Sequence, residues 1–400
     1  MKTMNLLEGL ILADILGKIF VGFANLEPQS FVMFLIGGIL IYLAIAKDYE
    51  PALLLPIGFG TILVNLPLAT VLQVEGAHGM EEGILSIFYR VGILTEIFPI
   101  LIFVAIGAMI DFTVLLKNPK MILFGAAAQF GIFFTIIAAL LLGKVFPGLG
   151  IDLKIASAIG IIGAADGPTS IFVAGKFAQN YFGPICVAAY SYMSLVPIIQ
   201  PPIIKLCTTK AERKMKMEYS EKKVSKTALI IFPIAITVIA GFIAPISVPL
   251  IGFLMFGNLI RVCGVLERLS QSAQNELANL VTLLLGISIG AKMTAAEFLQ
   301  PATLLIMGLG LVAFVFDTVG GVMFAKFLNI FSKEKINPMI GAAGISAFPM
   351  SSRVVQKMAT KEDPQNFILM QATSANVAGQ LGSVIAGGIV LAVVPALLGQ

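Results

Sequence analysis

The stretch at 159–177, IGIIGAADGPTSIFVAGKF, is apolar enough to enter a bilayer, yet it carries Asp166 followed by Gly167 and Pro168. Glycine and proline weaken or stop a helix. A carboxylate at bilayer depth costs about 2.5–3.5 kcal/mol on insertion scales, so such a residue lines a cavity and pairs with something. Two roles are compatible here: a cap for the N–H groups freed at the Gly-Pro break, and a ligand for a cation. Arg353 lies near the end of a second apolar segment, 338–356. A guanidinium there either holds a carboxylate bidentately or snorkels to the interface. Ser346, Asn337 and Asn376 supply neutral oxygens, which suit a hard cation such as Na⁺. Buried asparagines also serve as plain helix–helix hydrogen-bonding groups. Tyr192, within AYSYMSLVP, is a candidate proton relay or a member of an interface belt. Oxygen ligands, a carboxylate and an arginine together suit Na⁺ plus an anionic substrate.

Other chemistries lack their residues. The three cysteines, Cys186, Cys207 and Cys263, lie far apart, which fits neither a disulfide framework nor a zinc site. His78 is the single histidine, so histidine-based metal or triad chemistry has no partners. Each Gly-Lys pair is followed by an apolar residue (Ile19, Val145, Phe177), so no phosphate loop of an ATP-driven pump is present. A net charge of +4 gives no argument for nucleic acid. Glu96 and Asp317 are further acids within apolar segments, without helix-breaking neighbours, and structural pairing accounts for them as well as function does. Asp111 falls at a span end, where solvation is the ordinary explanation.

The elements that must position these residues are helices in a membrane. The 400 residues are 58% hydrophobic and 12% charged, where a soluble domain has roughly 25% charged residues. The apolar runs are continuous rather than alternating, which argues for spanning helices and against a barrel. Residues 1–25 carry Asp14 and Lys18 four apart on one face, which predicts an interfacial amphipathic helix rather than a signal peptide. A first membrane half is expected over 26–204 with a broken segment at 152–176. A basic loop follows at 205–226, with eight Lys/Arg and three Glu, and such loops stay cytoplasmic. The second half is expected over 227–400 with its break at 338–356. Met215-Lys216-Met217 in the loop matches the Met-Lys-Met of biotin-accepting domains, but no strand-rich module surrounds it, and we read it as chance.

An internal repeat links the two breaks. Shifted by 181, residues 159–176 align with 340–357, IGAAGISAFPMSSRVVQK, with seven of 18 positions identical, Pro168/Pro349 among them. IGA at 106–108 likewise echoes IGA at 289–291. Gly/Pro-interrupted apolar segments at corresponding places in two halves mark the binding site of many transporters. The expected fold is an all-α polytopic membrane protein of about ten or eleven crossings, with broken or re-entrant helices in two pseudo-symmetric repeats. Counting spans leaves the relation open: six crossings between the breaks give parallel repeats, and one re-entrant segment inverts them. We take the inverted arrangement as the expectation.

GAADGPTSIF, YSYMSLVPIIQPPIIKLCTTKAERK, ISAFPMSSRVVQK and TSANVAGQLGS, with the early stretch NLEPQSFVMFLIGGILIYLAIAKDYEPALLLPIGFGTILVNLP, resemble the β subunit of biotin-dependent, sodium-translocating decarboxylases. The resemblance runs from about residue 25 to the C-terminus. It implies a multi-pass protein of the bacterial cytoplasmic membrane that decarboxylates carboxybiotin, consumes a proton and exports Na⁺. The biotin would sit on a carrier subunit, with a carboxyltransferase subunit, a small membrane-anchoring subunit and further copies of this chain as partners. It places Na⁺ on Asp166, Asn337, Ser346 and Asn376. Catalytic roles fall on Arg353, Ser346, Tyr192 and Asp166, with Arg353 also holding the carboxybiotin carboxylate. Two rival readings remain: a Na⁺-coupled secondary transporter of a small anionic solute, and a non-catalytic membrane anchor. A co-purifying biotinylated protein separates the first of these from a decarboxylase, and an anchor has no use for Asp166 and Arg353 within its spans.

Overall fold

The computed structural model describes residues 20–76, 79–217, 223–243 and 245–399. Of the helix expected over 1–25, residues 1–19 lie outside the described residues, as does His78. Prolines open the first helices: α1 (Pro28–Lys47) and α2 (Pro51–Val64) both begin on proline, whose missing N–H costs nothing at that position. A two-stranded antiparallel sheet, β1 (Gln73–Gly76) and β2 (Gly79–Glu82), follows. It leads into α3 (Ile84–Leu94), bent by 58° against α4 (Ile97–Met109). Next come α5 (Pro119–Val145), α6 (Leu153–Ala164), α7 (Gly167–Phe177) and α8 (Phe182–Cys207).

The second half contains α9 (Lys226–Ile243), α10 (Val248–Cys263), α11 (Ala278–Gly290) and α12 (Pro301–Phe331). It closes with α13 (Met339–Ala342), α14 (Met350–Glu362) and α15 (Leu369–Leu397). Among the described residues, six helices are long and apolar enough to cross a membrane, or seven if the bent α3–α4 pair is one span. Shorter apolar helices, α2, α6 and most of α9, accompany them. Large apolar side chains such as Phe31, Leu35, Ile39, Leu141 and Leu304 stay exposed, as expected where lipid replaces water and every backbone group is satisfied within its own helix. The protein is therefore a multi-pass helical membrane protein.

Packing partners recur between the halves. In the first, α1 packs on α2, and in the second α9 packs on α10. Crossing over, α2 lies against α11 while α10 lies against α4. The two expected breaks are both present. Between α6 and α7 the chain turns through Ala165 (φ 51°) and the extended Asp166. Between α13 and α14 residues 343–349 are non-helical.

Each broken segment returns to the face it came from. Asn337, just before α13, donates to the carbonyls of Arg213 and Met215 in the basic loop, and Glu362, at the end of α14, pairs with Arg213 at 2.8 Å. The second segment therefore begins and ends at the basic-loop face. The first behaves oppositely. From the end of α5 a short turn, Pro147–Leu149, leads to α6, which packs back along α5. Leaving the break, α7 ends where Lys176 pairs with Glu96, ahead of the first turn of α8. Helix α8 has 26 residues, about 39 Å at 1.5 Å per residue, and delivers the chain to the basic loop from the far side.

Candidate functional site

Asp166 is the N-cap of α7 and is 3% exposed. Its Oδ1 accepts the backbone N–H of Thr169 at 3.3 Å. Its Oδ2 accepts from the Thr169 hydroxyl at 2.7 Å, the Ser383 hydroxyl at 2.6 Å and the Gln380 amide at 3.2 Å. A hydrogen bond to a charged group contributes about 1.5–3 kcal/mol. Four donors thus outweigh the few kcal/mol that the membrane charges for a carboxylate. Capping and ligand-holding are therefore compatible. The two hydroxyls have free rotors and can turn lone pairs toward a cation, leaving one carboxylate among neutral oxygens.

The tip of the second segment lies against this one. The Ser346 N–H donates to the Ala164 carbonyl at 3.0 Å, and the Ser346 hydroxyl donates to the Gly379 carbonyl at 2.9 Å. Asn376 donates to the Ile345 carbonyl at 2.6 Å, while its own Oδ1 is buried without a partner among the described residues. A Cβ on Gly379 would fall 2.1 Å from the Gly344 carbonyl oxygen, so the second tip reaches α15 only because that residue is glycine. Helix α15 crosses both tips, with Asn376, Gln380 and Ser383 spaced i, i+4, i+7 on one face.

A cavity of about 500 Å³ joins the two tips. Asp166, Ser346, Gln380 and Tyr190 line it at one end, with Glu50 and Gln274 also on its wall. Gln274 precedes α11; beyond the other end of that helix, the backbone of Lys292 presses on Gly183 in the first turn of α8. The Gln274 end of the cavity therefore lies on the basic-loop side. Tyr190 is 5% exposed and its hydroxyl has no hydrogen-bond partner among the described residues.

Of the residues singled out in the sequence, Asp166 and Ser346 line this cavity and Asn376 holds its second tip. Asn337 is elsewhere: its amide nitrogen serves the Arg213 and Met215 carbonyls, and its oxygen caps the Met339 N–H at 3.0 Å. Tyr192 also points away, donating its hydroxyl to the Met307 carbonyl. Arg353, in the first turn of α14, is exposed and makes no ion pair among the described residues. It sits one turn beyond Pro349, which lines the cavity. Glu96 and Asp111 have structural uses, the first paired with Lys176 and the second accepting the Thr113 N–H at 2.9 Å. Asp317 is fully buried, and its Oδ1 accepts the Ile132 N–H at 3.2 Å where α5 is interrupted near Gln129.

Thr169, Gln380, Ser383 and Tyr190 were not anticipated. The Asp-x-x-Thr spacing is that of a cap, and the i, i+4, i+7 row beginning at Asn376 is legible as one helix face. For the tyrosines, two positions on a helix differ by about 200°, so Tyr190 and Tyr192 must face opposite ways. The sequence alone does not say which one faces the aspartate.

A family profile described as the Na⁺-transporting oxaloacetate decarboxylase beta subunit matches residues 29–394. Among curated relatives, the methylmalonyl-CoA decarboxylase subunit beta of Propionigenium modestum is 48% identical over 386 residues, covering 92% of this chain and 96% of that protein. The oxaloacetate decarboxylase beta chain of Klebsiella pneumoniae is 45% identical over 424 aligned residues, covering 94% and 98%. The methylmalonyl-CoA decarboxylase subunit beta of Veillonella parvula is 46% identical over 371 residues, covering 93% and 95%. The chain belongs to the family of Na⁺-transporting decarboxylase β subunits.

Proposed function

We propose that this chain decarboxylates carboxybiotin presented by a partner subunit, takes up a proton in doing so, and couples the reaction to Na⁺ movement from the basic-loop face to the opposite one. The observation that carries this reading is Asp166: a carboxylate buried at a helix break, ringed by hydroxyls and an amide, at the inner end of a cavity shared by two broken segments. Asp166, Thr169 and Ser383 are the proposed Na⁺ ligands, with Ser346 and Asn376, whose Oδ1 has no partner among the described residues, as further candidates. Arg353, exposed one turn beyond the cavity, is the proposed partner for the carboxylate of arriving carboxybiotin, which a guanidinium can hold bidentately. The two halves are read as inverted repeats, because their broken segments return to opposite faces. Ten crossings and two re-entrant hairpins follow from that reading.

The relatives divide between oxaloacetate and methylmalonyl-CoA decarboxylases at nearly equal identity. This fits a division of labour in which the first carboxylic substrate is chosen on another subunit, with this chain acting on the biotin-bound carboxyl group. A biotin-carrier subunit, a carboxyltransferase subunit and a membrane-anchoring subunit are the proposed partners, and an avidin blot of the purified complex tests for the first. The decisive experiment is Asp166→Asn in vesicles reconstituted with the whole complex. Na⁺-dependent decarboxylation is expected to disappear, and Na⁺ activation equal to wild type would sink the reading.

A further inference from the structure

The cavity that ends at Asp166 is far larger than an ion needs. At about 500 Å³ it falls within the ordinary range for an organic ligand, about 300–1,000 Å³. Much of its lining is apolar, from residues such as Leu53, Ile102, Ile106, Met193 and Phe348; Asp166, Tyr190, Ser346 and Gln380 cluster at the broken segments, and Glu50, Gln274 and Thr282 complete the wall. A pocket with greasy walls and a few convergent polar groups is built for an organic ring.

One of those polar groups is uncommitted. The Tyr190 hydroxyl is buried and lacks a partner among the described residues, an arrangement that costs free energy unless something else meets the hydroxyl. Its ring is held in place: a Cβ on Gly167 would fall 2.1 Å from ring atom Cε1 and 2.7 Å from the hydroxyl. Tyr190 therefore packs directly on the residue after Asp166, with its donor at the same end of the cavity.

We propose that this cavity seats the bicyclic ureido ring of carboxybiotin, with the Tyr190 hydroxyl donating a hydrogen bond to the ureido oxygen. The proposal rests on the carboxybiotin reading above and adds where the ring lies and which group it meets. When the bond between the ureido nitrogen and the carboxyl carbon breaks, CO₂ leaves and the electron pair remains on nitrogen. That pair delocalises onto the ureido oxygen, where the preorganised donor stabilises the developing charge. The nitrogen then takes up one proton from water, which is the proton the reaction consumes. Apolar walls exclude bulk water and strengthen the hydrogen bond.

The test is Tyr190→Phe in the complete reconstituted complex, supplied with carboxylated biotin carrier. The ring stays, and no protein hydrogen bond is lost, so assembly and thermal midpoint should match wild type. Turnover is expected to fall about 10²–10³-fold, the usual effect of removing one such donor, with equilibrium ²²Na⁺ binding retained. Near-wild-type turnover overturns the proposal, as does loss of ²²Na⁺ binding in proportion, which would make the hydroxyl an ion ligand. If the wild-type complex itself shows no turnover of the carboxylated carrier, the underlying reading has failed instead. A second measurement uses Ile106→Cys, with thiol labelling read at residue 106 by peptide mass. Free biotin should slow labelling in the absence of Na⁺. Labelling that responds to Na⁺ but not to biotin would overturn the proposal.

Discussion

The two broken segments meet tip to tip, but they hold different things. At the first, Ala165 takes a left-handed turn and Asp166 projects a carboxylate onto four donors. At the second, the position matching Asp166 is Ala347, which is fully buried, and the tip is held by its backbone: the Ser346 N–H on Ala164 and the Ile345 carbonyl on Asn376. One tip presents chemistry and the other supplies a wall. The comparison teaches that the Gly/Pro break is shared architecture, whereas the charge belongs to its surroundings. Those surroundings come from α15, which offers Gln380 and Ser383 to the first tip and Gly379 to the second.

The most severe way to break the comparison is to move the charge. Asp166→Ala is expected to abolish Na⁺-dependent turnover, leaving the Thr169, Ser383 and Gln380 donors without their acceptor. Adding Ala347→Asp should not rescue it. A carboxylate at 347 meets no ring of donors, so it is expected to lower the thermal midpoint as an unpaired buried charge does. Recovery of Na⁺ activation in the double variant would show the two tips to be chemically equivalent.

Next in size is Gly379→Ala. The added methyl would fall 2.1 Å from the Gly344 carbonyl oxygen and push the second tip off α15. Overpacking of this kind costs about 1–3 kcal/mol, visible as a lower midpoint in detergent. Activity should fall with it, because the same shift pulls Ser346 from the Gly379 carbonyl. A wild-type midpoint together with wild-type turnover would mean that the close approach is not needed.

Much of this arrangement could be read from the residues. The breaks at Asp166-Gly167-Pro168 and near Pro349 follow from helix chemistry, and the repeat placed both in corresponding positions. Asp166 stood out because an intramembrane carboxylate needs partners. Its partners themselves were less legible. Gln380 and Ser383 lie more than 200 residues away, on a helix that also carries Gln371, Thr373, Ser374 and Asn376, so its sequence does not single them out. Asn337 shows the reverse problem. An asparagine beside a broken segment has the right atoms for an ion, but whether it faces the tip or the loop depends on where the loop folds back. That contact, 122 residues distant for Met215, leaves no mark on local sequence.

Asn337 consequently gives a smaller and different effect. Asn337→Ala removes two donors to loop carbonyls and the cap on Met339, a loss of about 1–3 kcal/mol in all. The expected readout is faster proteolysis of the 208–217 loop and a modestly lower midpoint, with the Na⁺ concentration for half-maximal activity unchanged. A tenfold rise in that concentration, with the loop still protected, would return Asn337 to the ion.

The weakest effect is expected at the outer end of the second segment, through pH. Hydrogen bonding from Arg213 holds the Glu362 carboxyl below its usual range, with the positive charges of Arg213, Lys210 and Lys214 adding to it. Asp363 is also lowered, first by the Gln365 N–H and then by Lys216. A carboxyl lowered in the folded protein contributes stability that is fully present above its ordinary value. That stability is lost as pH falls through the lowered one. The docked loop should therefore hold through neutral and mildly acidic pH and loosen only below the ordinary carboxylate range, whereas Glu362→Gln should loosen it slightly throughout the range in which the wild-type carboxyl is ionised and leave it unchanged at lower pH. Both pairs are near the surface, so the shifts should shrink in high salt. Hydrogen exchange of the Thr208–Met217 amides measures this. If exchange there accelerates between pH 8 and 6, a group other than these carboxylates controls the loop, and the second segment is anchored differently from the way its contacts imply.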